Sequence, residues 1–188
     1  MNRSTGCGYL GLIIGPMFSG KTSKLISLYE QYALAETPIL AINHNCDVRY
    51  DKNFLCNHDK KKVPCIEVEY LNDIYQNKVN LDDYDIILIN EGQFFQDLMK
   101  VVTDLVECRK KTVYVCGLDG DFQRNKFGSL LDLIPLCDSV EKLTSICCQC
   151  KGRIPAIFTK RTEKDNHEQV LVGAGESYMP VCRSCYSN

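Results

Sequence analysis

Apolar positions along this chain come as short unbroken runs, separated by stretches with helical spacing. Tyr9 to Ile14 (Tyr-Leu-Gly-Leu-Ile-Ile) fits a strand buried on both faces. Ser23 to Leu34 then carries Leu25, Ile26, Leu28, Tyr29 and Tyr32 at the spacing of a helix. Pro38 to Asn43 reads as a second strand, Val63 to Tyr70 alternates as a third, and Leu71 to Gln76 as a short helix. Tyr84 to Ile89 is a continuous apolar strand that ends in Asn90 and Glu91, after which Gly92 to Phe95 turns the chain into a helix predicted to run to Cys108. Thr112 to Leu118 is the next buried strand. Lys126-Phe127-Gly128 leads to a last apolar segment, Ser129 to Leu136, and Val140 to Ile146 reaches a cluster of cysteines. Strand and helix alternate without hairpin signals, which predicts an α/β fold with a mainly parallel sheet and helices on both faces.

The first strand and helix are joined by Gly15-Pro16-Met17-Phe18-Ser19-Gly20-Lys21-Thr22, a G-x-x-x-x-G-K-T phosphate-binding loop in its proper strand–turn–helix context. Its glycines let the backbone wrap a polyphosphate, so that N–H groups and the helix N-terminus face anionic oxygens. Lys21 supplies a mobile cation for the β- and γ-phosphates, and the Thr22 hydroxyl is placed to ligate Mg²⁺. The polar stretch from His44 to Lys62 is a solvated loop by composition, yet it leaves a strand beside the phosphate loop, where α/β sheets place ligand groups. Arg49, in Asp47-Val48-Arg49-Tyr50, is a candidate second phosphate-facing cation. His44 and His58 read as loop residues, without partner ligands at useful spacing. The strand ending in Asn90-Glu91 has the form of a Walker-B strand with Asn at the usual Asp position. Glu91 is either an ordinary helix-start carboxylate or a catalytic one; its place beside the phosphate loop favours catalysis.

Composition narrows the picture. The 188 residues are 45% hydrophobic with a formal net charge of −2, which gives no electrostatic case for nucleic acid. No apolar run approaches the ~20 residues that span a bilayer, and the N-terminus leads straight into the first strand without a signal-peptide pattern. No membrane partner is expected. Of the twelve cysteines, Cys7, Cys46, Cys56, Cys65, Cys108, Cys116 and Cys137 are scattered and read as small buried hydrophobes. A phosphate loop implies intracellular ATP, hence a reducing, cytoplasmic setting. Cys147-x-x-Cys150 and Cys182-x-x-Cys185 form two knuckles suited to a closed, structural Zn²⁺ site, with Cys148 inside the first. A redox C-x-x-C fits less well, because neither pair is expected to open a helix after a strand. The segment tied between the knuckles contains Phe158-Thr159-Lys160-Arg161, a polar middle, an extended Gln169 to Gly173, and Tyr178. It reads as a lid over a ligand or as a plain zinc-ribbon hairpin. The division expected is a nucleotide-binding α/β domain over 1–146 and a zinc-binding subdomain over 147–188.

GPMFSGKT, NEGQFF, LDGDFQRNKFG, KLTSICCQC, FTKR and SYMPVCRSCY, in this order, closely resemble the cellular-type (type II) thymidine kinases, over about Gly11 to Tyr186. The resemblance implies a P-loop fold with a zinc-held lasso, and transfer of the ATP γ-phosphoryl group to the 5′-hydroxyl of thymidine, with Mg²⁺, in deoxynucleoside salvage. By matching position it implies Glu91 as general base, Lys21, Thr22 and Arg49 at the phosphates, and Asp47, Val48, Asn90, Gly92 and Gln93 around the nucleotide. Met17, Phe94, Phe122 and Phe127 would border the nucleoside, Gln169, Val170, Leu171, Val172 and Gly173 would contact the base through the main chain, and Tyr178 would close over it. Cys147, Cys150, Cys182 and Cys185 match the zinc ligands. A homotetramer regulated by dTTP is also implied. Two departures stand out: Asn90 where the family has Asp, expected to weaken Mg²⁺ binding unless Asp119 or the substrate phosphates compensate, and Phe158 where Tyr is common. The competing class is an ATP-binding zinc-ribbon adaptor, which would need neither Glu91 nor the aromatic residues in these places.

Overall fold

Parallel pairing of short apolar strands builds the centre of the computed structural model, which describes residues 6–46, 53–75, 79–150, 154–162 and 177–187. In chain order the first elements are β1 (Tyr9–Ile14), α1 (Lys21–Leu34), β2 (Ile39–His44), β3 (Phe54–Cys56), β4 (Lys62–Pro64) and β5 (Ile66–Val68). Then come β6 (Ile86–Ile89), α2 (Leu98–Thr103), β7 (Thr112–Gly117) and β8 (Ser139–Lys142). The six-stranded sheet has the order β5-β2-β6-β7-β1-β8, and all of its pairings are parallel. The expected α/β architecture is therefore present.

The unbroken apolar runs follow from burial on both faces. Leu12, Ile42, Ile87, Ile89, Val113 and Val115 pack on one side with Leu98, Val102 and Leu105. Ile13, Ala41, Leu88, Tyr114 and Cys116 pack on the other with Leu25 and Ile26 of α1. Alternate side chains of one strand thus enter two separate cores, and neither face can be polar.

Several boundaries differ from expectation. The stretch from Val63 to Tyr70 is two strands, because Pro64 has no N–H to continue a ladder and the Cys65 N–H turns aside to the Asn53 carbonyl at 3.0 Å. Its first half pairs antiparallel with β3, a hairpin inside the supposedly irregular polar stretch; its second half joins the main sheet. The helix expected from Gly92 to Cys108 is a 3₁₀ turn (Gly92–Phe94), then α2, then a π-helical turn (Asp104–Cys108). Phe95 is extended there, and burying its ring delays the helix. Ser129 to Leu136 is a 3₁₀ helix (Leu130–Leu136) that contains Pro135. Of the scattered cysteines only Cys56, Cys65 and Cys116 are fully buried, whereas Cys7, Cys46 and Cys108 are exposed. Among the described residues no helix is long and apolar enough to cross a membrane.

Beyond β8 the chain makes two small antiparallel pairs: β9 (Ser145–Ile146) with β10 (Pro155–Ala156), and β11 (Phe158–Arg161) with β12 (Tyr178–Val181). It ends in α3 (Arg183–Ser187). Cys147, Ala156, Val181 and Cys182 form a separate small core.

His44 is not a loop residue. It closes β2, is buried, and lies against the Phe95 ring edge-on at 4.7 Å. Its Nδ1 accepts from the Cys46 N–H at 3.0 Å. Burial pushes its pKa below the ordinary 6.5, against the opposing pull of a backbone hydrogen bond to Glu69 and nearby carboxylates. The native state therefore binds fewer protons than the unfolded chain just below that value, and stability present above it is lost as pH falls toward the lowered native pKa. Urea unfolding from about pH 7.5 to about pH 5.5 should show a decline of at most about 1.4 kcal/mol per pH unit from this residue, the limit for one proton. The decline should shrink in His44→Gln; equal slopes would remove His44 as its source.

Candidate functional site

The carboxyl edge of the sheet gathers the loop and the acidic strand end. Residues 15–20 join β1 to α1 with Gly15 at φ 154°, Phe18 at φ 60° and Gly20 at φ 84°. Position 15 must be glycine for a second reason: a Cβ there would lie 2.5 Å from the Leu143 carbonyl oxygen. The loop is thereby pressed against Leu143, the residue that follows β8. Lys21 opens α1, is buried, and donates from Nζ to the Pro16 carbonyl at 2.7 Å, so its cation lies back across the loop. The Ser19 Oγ is buried within the same loop without a hydrogen-bond partner. A curled backbone, a buried cation and an unsatisfied hydroxyl are what an anionic ligand would complete.

β6 delivers the next groups. Asn90 is fully buried. Its Oδ1 accepts from the Thr22 hydroxyl at 3.4 Å and lies 3.0 Å from the Cys116 Sγ, while its Nδ2 donates to Asn43 Oδ1 at 2.9 Å. The end of β6 is thus joined to the first turn of α1 and to β2. Glu91 follows in the left-handed region, φ 54°, a conformation that costs energy for a residue with a Cβ. Gln93 holds it there: Nε2 donates to Glu91 Oε2 at 2.6 Å and Oε1 accepts from the Leu118 N–H at 3.0 Å. Asp119, expected as a compensating carboxylate, pairs with Lys142 at 2.7 Å.

The expected aromatic residues fall into two groups. Phe94 meets the buried Phe127 edge-on at 5.4 Å. Phe122 is covered by the Arg161 guanidinium, 3.8 Å from the ring centroid, and Arg161 also donates to the Tyr178 hydroxyl. Arg161 and Tyr178 face each other across the β11–β12 pair. Met17 is tied to the same unit, its N–H donating to Thr159 Oγ1 at 3.0 Å. Thr159 and Arg161 were not among the expected site residues, although both stand in the FTKR segment. Asp47, Val48, Arg49 and Gln169 to Gly173 lie outside the described residues.

Cys147, Cys150, Cys182 and Cys185 bring their sulfurs within 4.8 Å of one another, with Cys150 Sγ 3.6 Å from Cys182 Sγ and 3.2 Å from Cys185 Sγ. Four Zn–S bonds of about 2.3 Å in a tetrahedron need sulfur separations of about 3.8 Å, so the set fits a structural zinc. Backbone N–H groups, that of Cys150 foremost, pull the Cys147 thiol down to about 6, whereas neighbouring sulfurs push Cys150 up. A cation at the centre would relieve that conflict. One expectation fails here: Cys182 does stand between a strand, β12, and a helix, α3. The convergence of both pairs, rather than their local context, is what speaks for metal.

These features define an α/β protein with a glycine-rich loop and a polar strand end at one sheet edge, joined to a small unit built around four thiols. The chain belongs to the thymidine kinase family, whose sequence model matches residues 8–186. It is 42% identical over 179 residues to a thymidine kinase of Yaba monkey tumor virus, covering 95% of this chain and 94% of that one. It is 39% identical over 186 residues to thymidine kinase 1 of Dictyostelium discoideum, covering 96% and 78%. To the human cytosolic thymidine kinase it is 37% identical over 179 residues, covering 95% and 73%.

Gly117 offers a direct test of the Gln93 arrangement. A Cβ there would stand 2.3 Å from Gln93 Oε1 and 2.8 Å from a Leu130 methyl. Gly117→Ala should lower stability by about 1–3 kcal/mol, read from urea midpoints, and should reduce turnover by displacing Gln93. An unchanged midpoint would mean that the amide relocates freely.

Proposed function

We propose that this protein is an ATP-dependent thymidine kinase, transferring the γ-phosphoryl group to the 5′-hydroxyl of thymidine to give dTMP and ADP, as a step of deoxynucleoside salvage. The observation that carries the reading is the junction at Asn90-Glu91. One residue reaches Thr22 of the loop, and the next is a carboxylate locked by Gln93 in a strained backbone. Family membership supports thymidine as acceptor.

In this reading the loop from Gly15 to Thr22 binds the ATP phosphates, with Lys21 moving from the Pro16 carbonyl to the β- and γ-oxygens. Thr22 would hold Mg²⁺, and Asn90 would orient it through that hydroxyl. Mg²⁺, when bound, supplies neutralisation of charge on the transferring group. Glu91 accepts the proton of the 5′-hydroxyl as its oxygen attacks phosphorus. Arg49, Asp47, Val48, Gly92 and Gln93 belong to the nucleotide side. Met17, Phe94, Phe122, Phe127 and Tyr178 belong to the nucleoside side, together with main-chain contacts from Gln169 to Gly173. The four-thiolate unit, residues 147–188, acts as a zinc-held subdomain beside the nucleotide-binding domain over 1–146. A cytoplasmic homotetramer with dTTP as feedback inhibitor follows from the same resemblance.

Phosphorylation assays with Mg²⁺/ATP and thymidine, deoxycytidine or deoxyguanosine test the reaction. Thymidine should turn over best, and Glu91→Gln should lower kcat by about 10²–10⁴-fold with little change in ATP binding. ATP binding without turnover of any nucleoside would defeat the kinase reading. A second test addresses Asn90, whose neutral amide lacks the charge to hold Mg²⁺ tightly. Asn90→Asp should lower the half-saturating Mg²⁺ concentration severalfold. It should also lower stability, since a buried carboxylate would face Asn43 Oδ1. Identical Mg²⁺ titrations would dispose of the amide's role.

A further inference from the structure

α3 contains five residues, far below the length at which a helix holds itself in water. Cys182 precedes it and Cys185 is its central residue, so an ion held by the four thiols would fix its start and its middle. Lys160 Nζ adds one further tie, donating to the Cys185 carbonyl at 2.9 Å.

The next side chain, Tyr186, packs against the small core of this unit and reaches beyond it. The Tyr186 hydroxyl donates to the main-chain carbonyl of Phe122 at 2.7 Å. Its ring packs on Phe158 at 5.2 Å and lies 4.4 Å beneath the Arg124 guanidinium, two residues beyond Phe122. From within the chain, that loop is held by Asp121, whose Oδ1 accepts from the Gln123 and Asn125 N–H groups. From outside, Arg161 covers the Phe122 ring and Tyr186 holds its carbonyl.

We infer that Tyr186 is a positioning residue for the nucleoside, carrying the state of the four-thiolate site into the loop that presents Phe122. It stands one residue from a candidate ligand and bonds directly to the backbone of a candidate base-facing aromatic. The inference rests on the proposed placement of Phe122 against the base. Linkage gives it a second face. If an ordered thiolate site favours nucleoside binding, bound nucleoside must favour metal retention by the same factor.

The test uses full-length, zinc-loaded protein, wild type and Tyr186→Phe. The variant should keep its zinc content, kcat and ATP KM, while the thymidine KM rises roughly three- to tenfold, the range of one hydrogen bond. Arg124→Gln, which leaves the hydroxyl bond but uncovers the ring, should give a smaller rise in the same parameter. Zinc retained at a fixed chelator concentration should increase with thymidine in the wild type and not in Tyr186→Phe. An unchanged thymidine KM in Tyr186→Phe, or equal protection of zinc in both proteins, would overturn the inference. Loss of zinc from the holo variant would also overturn it, making Tyr186 part of the metal site's own scaffold. A wild type that turns over no nucleoside would sink the kinase reading first, and this inference with it.

Discussion

The Gln93 carboxamide is the interaction on which the site depends. It bonds at one end to the Glu91 carboxylate and at the other to the N–H that follows β7. Glu91 sits in a left-handed conformation that costs of order 1–3 kcal/mol, and such strain persists only where surroundings over-determine it. Two glycines make the space. At Gly117 a side chain would strike the Gln93 amide, and at Gly128 it would strike the Gln93 carbonyl. The acidic group is therefore aimed by the packing of three separate chain segments, not by its own rotamer.

Much of this was legible in the residues. β1, β6 and β7 were readable because strands buried on both faces have no polar positions to blur them. The glycine-rich loop was readable because its conformation tolerates so few residues, and the thiols because two short spacings converge on one geometry. Less visible were features decided at long range. The β3–β4 hairpin has three-residue strands in a charged stretch, where composition argues for loop. The late start of α2 is set by burial of Phe95, which no local propensity announces. His44 looked like a loop residue because burial at a strand end depends on which rings arrive to cover it.

Arg161 and Tyr186 show the same limit at the site. Both stand inside the motifs FTKR and SYMPVCRSCY, but nothing in those motifs says what either side chain touches. Both reach the Phe122 segment only because the small thiol-built unit packs there, a relation between residues far apart in the chain. Arg161 is a buried cation whose guanidinium lies against an aromatic face, an arrangement that lysine could not reproduce with its compact, strongly hydrated charge.

The Asn43–Asn90 pair has a consequence for how this sequence can change. The Asn90 amide donates to the Asn43 oxygen, and neither side chain carries charge. A single replacement leaves its buried neighbour facing the wrong kind of atom, while a matched double replacement restores a partner. Such contacts are non-additive, so the two positions behave as one heritable unit. A change from amide to carboxylate at this strand end is therefore easier when both positions change together than when Asn90 changes alone.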